Sequence, residues 1–415
     1  MGKSELSRRR SIAIIALCVA MFALGQFHRS SGAVFAPILI DRFALSATMT
    51  GALVSSMFLA TIAAQTPLGA ALDRFGLRPV LLLNILVVGA GTIIFAFADS
   101  YEAALAGRIV IGVGSASMGA ASYVIYARAF PPRDFGYVNG LVVGLGGVGG
   151  LTGTFPLAFA LERLPYSTVM AAPGVIAFGM AVAAFFILSD QRFQRQASGG
   201  DGKAEGYLAL LKRVEFIRIL ALAAVTFAPI VTFTGVWGGP YFRDIYGLSP
   251  EAMGGILFLM SAATILGAFA FAWAERRGFP RRRLIFASVG LSICCFAILA
   301  LAPFSGPAVP AILLSVMIFG QQFYIPLGAH MRRVAPDASM ARASTLLLFV
   351  SVAAIPVMQT GFGAILDLAA AAGASPETGY RIGFAVIGLL IALAAAIYAG
   401  AREVNEAAEP DRTLA

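Results

Sequence analysis

Charge is scarce in this 415-residue chain: Asp, Glu, Lys and Arg together make up 12% of it, about half the share of an ordinary soluble domain. His occurs 2 times, Trp 2 times and Cys 3 times. Cys18, Cys294 and Cys295 all lie in apolar stretches, and a vicinal pair is poorly placed to build a disulfide framework, so redox chemistry and metal binding gain no support. No nucleophile with a histidine base is apparent, since His330 stands beside Arg332 and Arg333. An enzyme is therefore not expected, and no cofactor is called for. What the chain has instead is apolar surface, with 59% hydrophobic residues, 45 glycines and a mean hydropathy of +0.85.

A bilayer core takes roughly 20 mostly apolar residues per spanning helix. Such stretches run over 11–40, 48–72, 79–98, 103–127, 136–160, 167–189, 215–240, 250–274, 284–302, 309–331, 341–366 and 380–401. Backbone polar groups in hydrocarbon must be satisfied within the segment, so the stretches are helices. The expectation is an all-α polytopic membrane protein with twelve transmembrane helices. The first stretch follows a basic head, Lys3 and Arg8 to Arg10, and is too long for the core of a signal peptide, so it is expected to be retained. If the N-terminus is inside, 24 of the 30 basic residues fall on the cytoplasmic side; the other six are Arg29, Arg42, Arg108, Arg163, Arg243 and Arg381. Both termini are thereby expected in the cytoplasm, in a membrane of the bacterial inner type. The net charge of +9 and pI near 9.8 follow from topology, and nucleic acid need not be invoked.

The longest polar stretch, 190–213, contains the Gly- and Ser-rich segment 197–202. It divides the chain into an N-terminal six-helix bundle (1–189), a cytoplasmic linker (190–213), a C-terminal six-helix bundle (214–401) and a cytoplasmic tail (402–415). An internal repeat supports the division. Asp73-Arg74-Phe75-Gly76 ends the second stretch and Glu275-Arg276-Arg277-Gly278 ends the eighth, an offset of 202, while Pro37 and Pro240 repeat at 203.

Gly69 to Arg78, reading GAALDRFGLR, resembles the signature that major facilitators carry between their second and third helices. The two parallel halves match the repeat logic of that superfamily, which places substrate between the halves near the midplane. The resemblance implies a gating role for Asp73, Arg74, Gly76 and Arg78, with Glu275 and Arg276 as the counterpart. Arg108, Gly112 and Gly114 resemble the family's fourth-helix motif. An arginine inside a span is costly, so Arg108 either faces the protein interior or snorkels toward the outer interface. The stretch 140–156 holds seven glycines and formally satisfies a dinucleotide fingerprint; within an apolar span it reads as close helix packing. It resembles the antiporter motif only loosely, because Thr154 follows Gly153 where that motif has proline.

His28-Arg29 lies well inside the first stretch, eight residues before Pro37. An arginine at this spacing is similar to organophosphate antiporters and organic anion:cation symporters of the superfamily, whose first-helix arginine contacts an anionic substrate. A buried guanidinium fork suits a carboxylate or phosphate; the alternative is pairing with backbone carbonyls or headgroups. The organophosphate group's second arginine, on the seventh helix, is absent at Thr232-Phe233-Thr234, which favours a monoanion or zwitterion. Nitrate transporters resemble the chain less, since their arginines in spans two and eight are missing. None of the 21 Asp and Glu residues falls mid-span, and the symporters' acids are replaced by His28 and Ser115. His28 is the candidate for proton coupling, against a neutral, satisfied histidine. Coupling to another ion stays open.

Further substrate candidates are Gln321, Gln322, Tyr324 and Trp237. One glutamine could face the cavity and the other bond between helices; Trp237 is left open, and Tyr241 reads as part of an outer aromatic belt. The reading is a secondary transporter, acting as a monomer in the lipid bilayer on a small, anionic molecule. Alternatives are metabolite or drug efflux and, from another class, a non-transporting receptor or assembly protein of the same fold.

Overall fold

The computed structural model describes residues 8–116, 118–131, 134–188, 210–334 and 339–401; at Thr66, Asp73, Ala120, Ala127, Arg333 and Ala341 it describes the backbone alone. Most of the expected 190–213 linker and all of the 402–415 tail therefore lie outside the described residues. Among the described residues, eleven helical segments are long and apolar enough to cross a membrane. The remaining crossing, fourth in order, is the pair Tyr101–Ser115 and Met118–Ala129. Twelve crossings result, in two bundles.

Seven crossings are single helices, six of them the second (Ala47–Phe75), third (Leu77–Ala96), sixth (Tyr166–Ile187), eighth (Pro250–Arg276), ninth (Arg281–Leu301) and eleventh (Met340–Ala371). The twelfth, Pro376–Ala399, is also unbroken. Breaks mark the others. The first span divides at Ser31 into Arg8–Ser30 and Gly32–Phe43. Its seventh-span relative runs through Val214–Ala223, Phe227–Thr232, a π-helix at Phe233–Trp237 and Gly238–Tyr246. The fifth divides into Phe135–Gly146, Val148–Thr152 and Phe155–Leu161, and the tenth into Ala308–Gly320, a 3₁₀ turn Gln321–Phe323 and Tyr324–Val334. Broken helices in a bilayer are tolerated where neighbouring protein satisfies the freed groups.

An even number of crossings puts Arg8 and Ala401 on one side, here the chain-end side. The turns 44–46 and 247–249 lie on the other, distal side. Both begin with a residue in the left-handed region, Ala44 at φ 49° and Gly247 at φ 62°. Each then presents a serine N-cap: Ser46 Oγ accepts from Met49 N at 3.2 Å and Ser249 Oγ from Ala252 N at 3.3 Å.

Across the halves, the second span packs on the eleventh, the fifth on the eighth, and the distal half of the first on the seventh. With lipid as solvent no hydrophobic drive favours helix association, and small residues permit the close approach that does. A Cβ at Gly32 would overlap the Gly235 carbonyl, one at Gly239 the Ala33 carbonyl, one at Gly51 the Gln359 carbonyl, and one at Gly363 the Ala47 carbonyl. Among the described residues, nothing lies within 4 Å of that position at Gly25, Gly69, Gly140 and Gly144 on the chain-end side. The halves are closed distally and part toward the chain ends.

Candidate functional site

Arg29 sits where the first span breaks. Its carbonyl oxygen lies 3.0 Å from the position a Cβ on Gly235 would take, and the amide nitrogen of Gln359 lies 3.5 Å from the same point. Arg29 is thus at the meeting of both halves, immediately below the distal closure. Its side chain is exposed, and its polar contact is from Nη1 to Gln26 Oε1 at 3.4 Å. Among the described residues no carboxylate comes within ion-pair distance of it. A guanidinium held at the apex of an open cleft with no acid beside it is equipped to receive an anion from solution.

His28 points the other way. It is buried, with Nε2 3.2 Å from Thr92 Oγ1 and its ring edge-on to Phe27. The expected pairing of His28 with Arg29 at one substrate surface is corrected accordingly: adjacent residues on a helix are turned about 100° apart, and here one faces the cleft and the other the bundle interior. The His28 carbonyl accepts from Arg108 Nη1 at 3.2 Å, and Arg108 Nη2 donates to Val54 O at 2.9 Å. Arg108 is fully buried, with its guanidinium 5.5 Å from the Phe35 ring centroid and 5.8 Å from that of Phe95. Of the two placements open for Arg108, the structure has the interior one. Gly112 and Gly114 bring it there, since a Cβ on either would overlap backbone of the second or third span.

Other expected contacts divide. Tyr324 is half-buried and stacks on Phe227 at 4.6 Å. Gln321 and Gln322 are both buried, with Gln322 packed on Gly267 of the eighth span. Among the described residues Gln321 has no hydrogen-bond partner on either amide atom. Neither glutamine faces the open cleft in this conformation, because the 3₁₀ turn tucks both inward. Trp237 is buried in the distal closure, where Nε1 donates to Gln359 O at 2.9 Å. Tyr241 is no lipid-facing belt residue: it is buried against Tyr246, Tyr380 and Phe384, with centroids 5.0–5.8 Å away.

At the chain-end side Gly76 adopts φ 82°, which only glycine takes without strain, and so permits the abrupt turn into the third span. Arg78 donates to Phe185 O at 2.8 Å and lies 4.5 Å over the Phe185 ring, within its own half. Arg74 stacks on Phe75 at 5.2 Å, and the Asp73 side chain lies outside the described residues. In the other half Glu275 accepts from Arg281 Nε at 3.1 Å, and Arg276 closes the eighth span.

The distal closure carries polar contacts that reading the sequence alone missed. Arg243 Nη1 reaches Asp41 at 3.2 Å and Pro37 O at 2.9 Å, and its Nε reaches Asp244 at 2.9 Å. Asp367 and Glu162 accept from the starts of the second and eighth spans. A signal existed: Asp41, Leu45, Ser46 and Gly51 recur as Asp244, Leu248, Ser249 and Gly254, all at an offset of 203. A groove of about 660 Å³ between the seventh, eleventh and twelfth spans is lined by apolar residues such as Val357, Leu390 and Ile397, and offers nothing to hold a polar solute.

The pattern of the Major Facilitator Superfamily matches residues 15–358. The chain belongs to that superfamily. Among curated relatives of this facilitator, an uncharacterised transporter, YybO of Bacillus subtilis (strain 168), is 33% identical over 31% of this chain and 29% of its own. A hexuronate transporter of the same organism is 25% identical over 68% of this chain and 69% of its own. The facilitator spans less than a third of the length of the first relatives it matches. A bacterial homologue of the human lysosomal transporter Spinster, solved inward-facing and unoccupied, superposes with TM-score 0.76 over 95% of this chain and 97% of that one at 16% identity. A D-xylose–proton symporter gives 0.74 over 94% and 97% at 13% identity. The facilitator fold, with its two six-helix bundles, is thereby established.

Proposed function

We propose that this facilitator is a secondary active transporter of a small organic monoanion, working by alternating access, with Arg29 as the group that receives the anion. The observation that carries the reading is the exposed Arg29 side chain at the junction of the halves, without an acidic partner among the described residues. The bias of basic residues toward the chain-end side favours a cytoplasmic location for both termini, so the cleft described above opens inward. A hexuronate transporter among the relatives accords with an organic anion. His28, buried and turned away, is a weak proton carrier in this reading; the coupling ion is left to experiment.

The test begins with purified protein and a thermal-shift screen of organic acids, phosphate esters, amino acids and sugars, since a ligand of the native state raises apparent stability. An organic acid should stabilise the parent. Affinity should then fall more than tenfold in Arg29→Gln, from the loss of charged hydrogen bonds of about 1.5–3 kcal/mol each, and by less in Arg29→Lys, which keeps charge without the planar fork. A neutral sugar as the stabilising ligand, or equal affinity in Arg29→Gln, would remove the anion site.

A further inference from the structure

The first turn of any helix has backbone N–H groups without partners inside the helix. At the start of the second span Ser46 takes that of Met49, and at the start of the eighth Ser249 takes that of Ala252. The donors left over point at acids from the opposite half. Asp367 Oδ1 accepts from Ala47 N at 2.9 Å and its Oδ2 from Thr48 N at 2.8 Å, while Glu162 Oε1 accepts from Glu251 N at 2.9 Å. Thr48 and Glu251 are repeat-related at the offset of 203, and so are Ala47 and Pro250. Proline has no N–H. One helix start therefore presents two donors to its acid where the other presents one.

A carboxylate at a helix N-terminus makes charge-assisted bonds and meets the positive end of the macrodipole. Both acids reach across between halves, so neither contact can survive a separation of the second span from the eleventh, or of the fifth from the eighth, at the distal end. The Asp41–Arg243 pair also crosses there, but Asp41 is 73% exposed, and exposed ion pairs contribute little. We propose that Asp367 and Glu162 are the residues that hold the distal gate shut, Asp367 the more strongly, and that their release sets the balance between distal-closed and distal-open protein in the transport cycle. The assignment rests on the facilitator fold and not on the anion reading, and its test needs no substrate.

Spin labels on cysteines placed at Asp99 and Ser305, exposed positions in distal turns of the two halves, report gate opening in nanodiscs, with Cys18, Cys294 and Cys295 replaced. Asp367→Asn keeps one acceptor and loses the charge. Ala47→Pro deletes a donor without touching the acid. It is compatible with folding because proline suits the first helical position and Ser46 (φ −68°, ψ 163°) matches Ser249 before Pro250 (φ −62°, ψ 156°). Each variant should raise the ratio of long to short distances about tenfold, the effect of one charged hydrogen bond; Glu162→Gln should raise it less, and Asp367→Glu should stay near the parent. Parent-like distances in both Asp367→Asn and Ala47→Pro would overturn the assignment, and so would a larger opening in Glu162→Gln than in either. If Asp367→Asn fails to fold, Ala47→Pro decides alone.

Discussion

At the distal end the halves meet backbone to backbone, Gly32 against Gly235 and Gly239 against Ala33, with Gly51 and Gly363 closing on the eleventh and second spans. Toward the chain ends no atom of the described residues comes within 4 Å of the Cβ position at Gly25 in the first span or Gly69 in the second. The same residue type therefore serves two ends of one interface differently. Distal glycines are needed for the state described here, while those near the chain ends could serve closure only in the opposite state. Alternating access needs two interfaces that compete, each complete when the other is broken.

Bulk placed at one end and then the other separates the two roles. Gly239→Leu should block distal closure, because overpacking costs about 1–3 kcal/mol in the closed state alone; that moves the equilibrium toward distal-open protein by roughly fivefold to a hundredfold or more and lowers transport by a similar factor. Gly69→Leu should leave distal closure as it is. Accessibility of an engineered cysteine at Ser55, read with a membrane-impermeant thiol reagent from the distal side, checks both, and equal labelling in the two variants would remove the distinction. A smaller effect is expected at the chain-end turn. Asp73→Asn should impair transport with folding and insertion intact, since the gating role implied by the GAALDRFGLR signature is to bias the state in which that end is closed; parent-like transport and accessibility would reject that role.

A slighter change is expected at the first of the two distal turns. Ala44 at φ 49° occupies a conformation that Gly247 takes at φ 62° in the other half. A Cβ there carries a cost of roughly 1 kcal/mol, partly offset by the greater freedom of glycine in the unfolded chain. Ala44→Gly should raise the thermal midpoint slightly, and a clear fall would contradict the strain.

Fold and membrane class were legible because hydrocarbon imposes a long apolar run on every crossing, and twelve such runs survive any reasonable placement of their boundaries. Arg29 was legible for a related reason, since a charge in an apolar run needs an explanation. Its neighbour His28 misled, because adjacency in sequence says nothing about which face of a helix a side chain takes. Tyr241 misled through depth: aromatic residues near a membrane surface often face lipid, whereas this one fills a cluster behind the distal gate. Asp367 and Glu162 escaped notice because acids near span ends look like ordinary solvated termini. Only the fold brings them to a helix start more than 80 residues away in one case and more than 300 in the other.

Arg243 lies between two acids, Asp41 and Asp244, that occupy the same place in the two repeats. In a dimer of identical six-helix halves every residue near the axis would meet its own copy, and any arginine supplied for the acids would come twice. Here the position matching Arg243 in the first repeat is Ile40. One cation thus serves two carboxylates, an arrangement of odd parity open only to halves that differ in sequence. Duplication and fusion onto a single chain would let such unpaired solutions accumulate at the axis, and the two halves could then no longer be exchanged for one another.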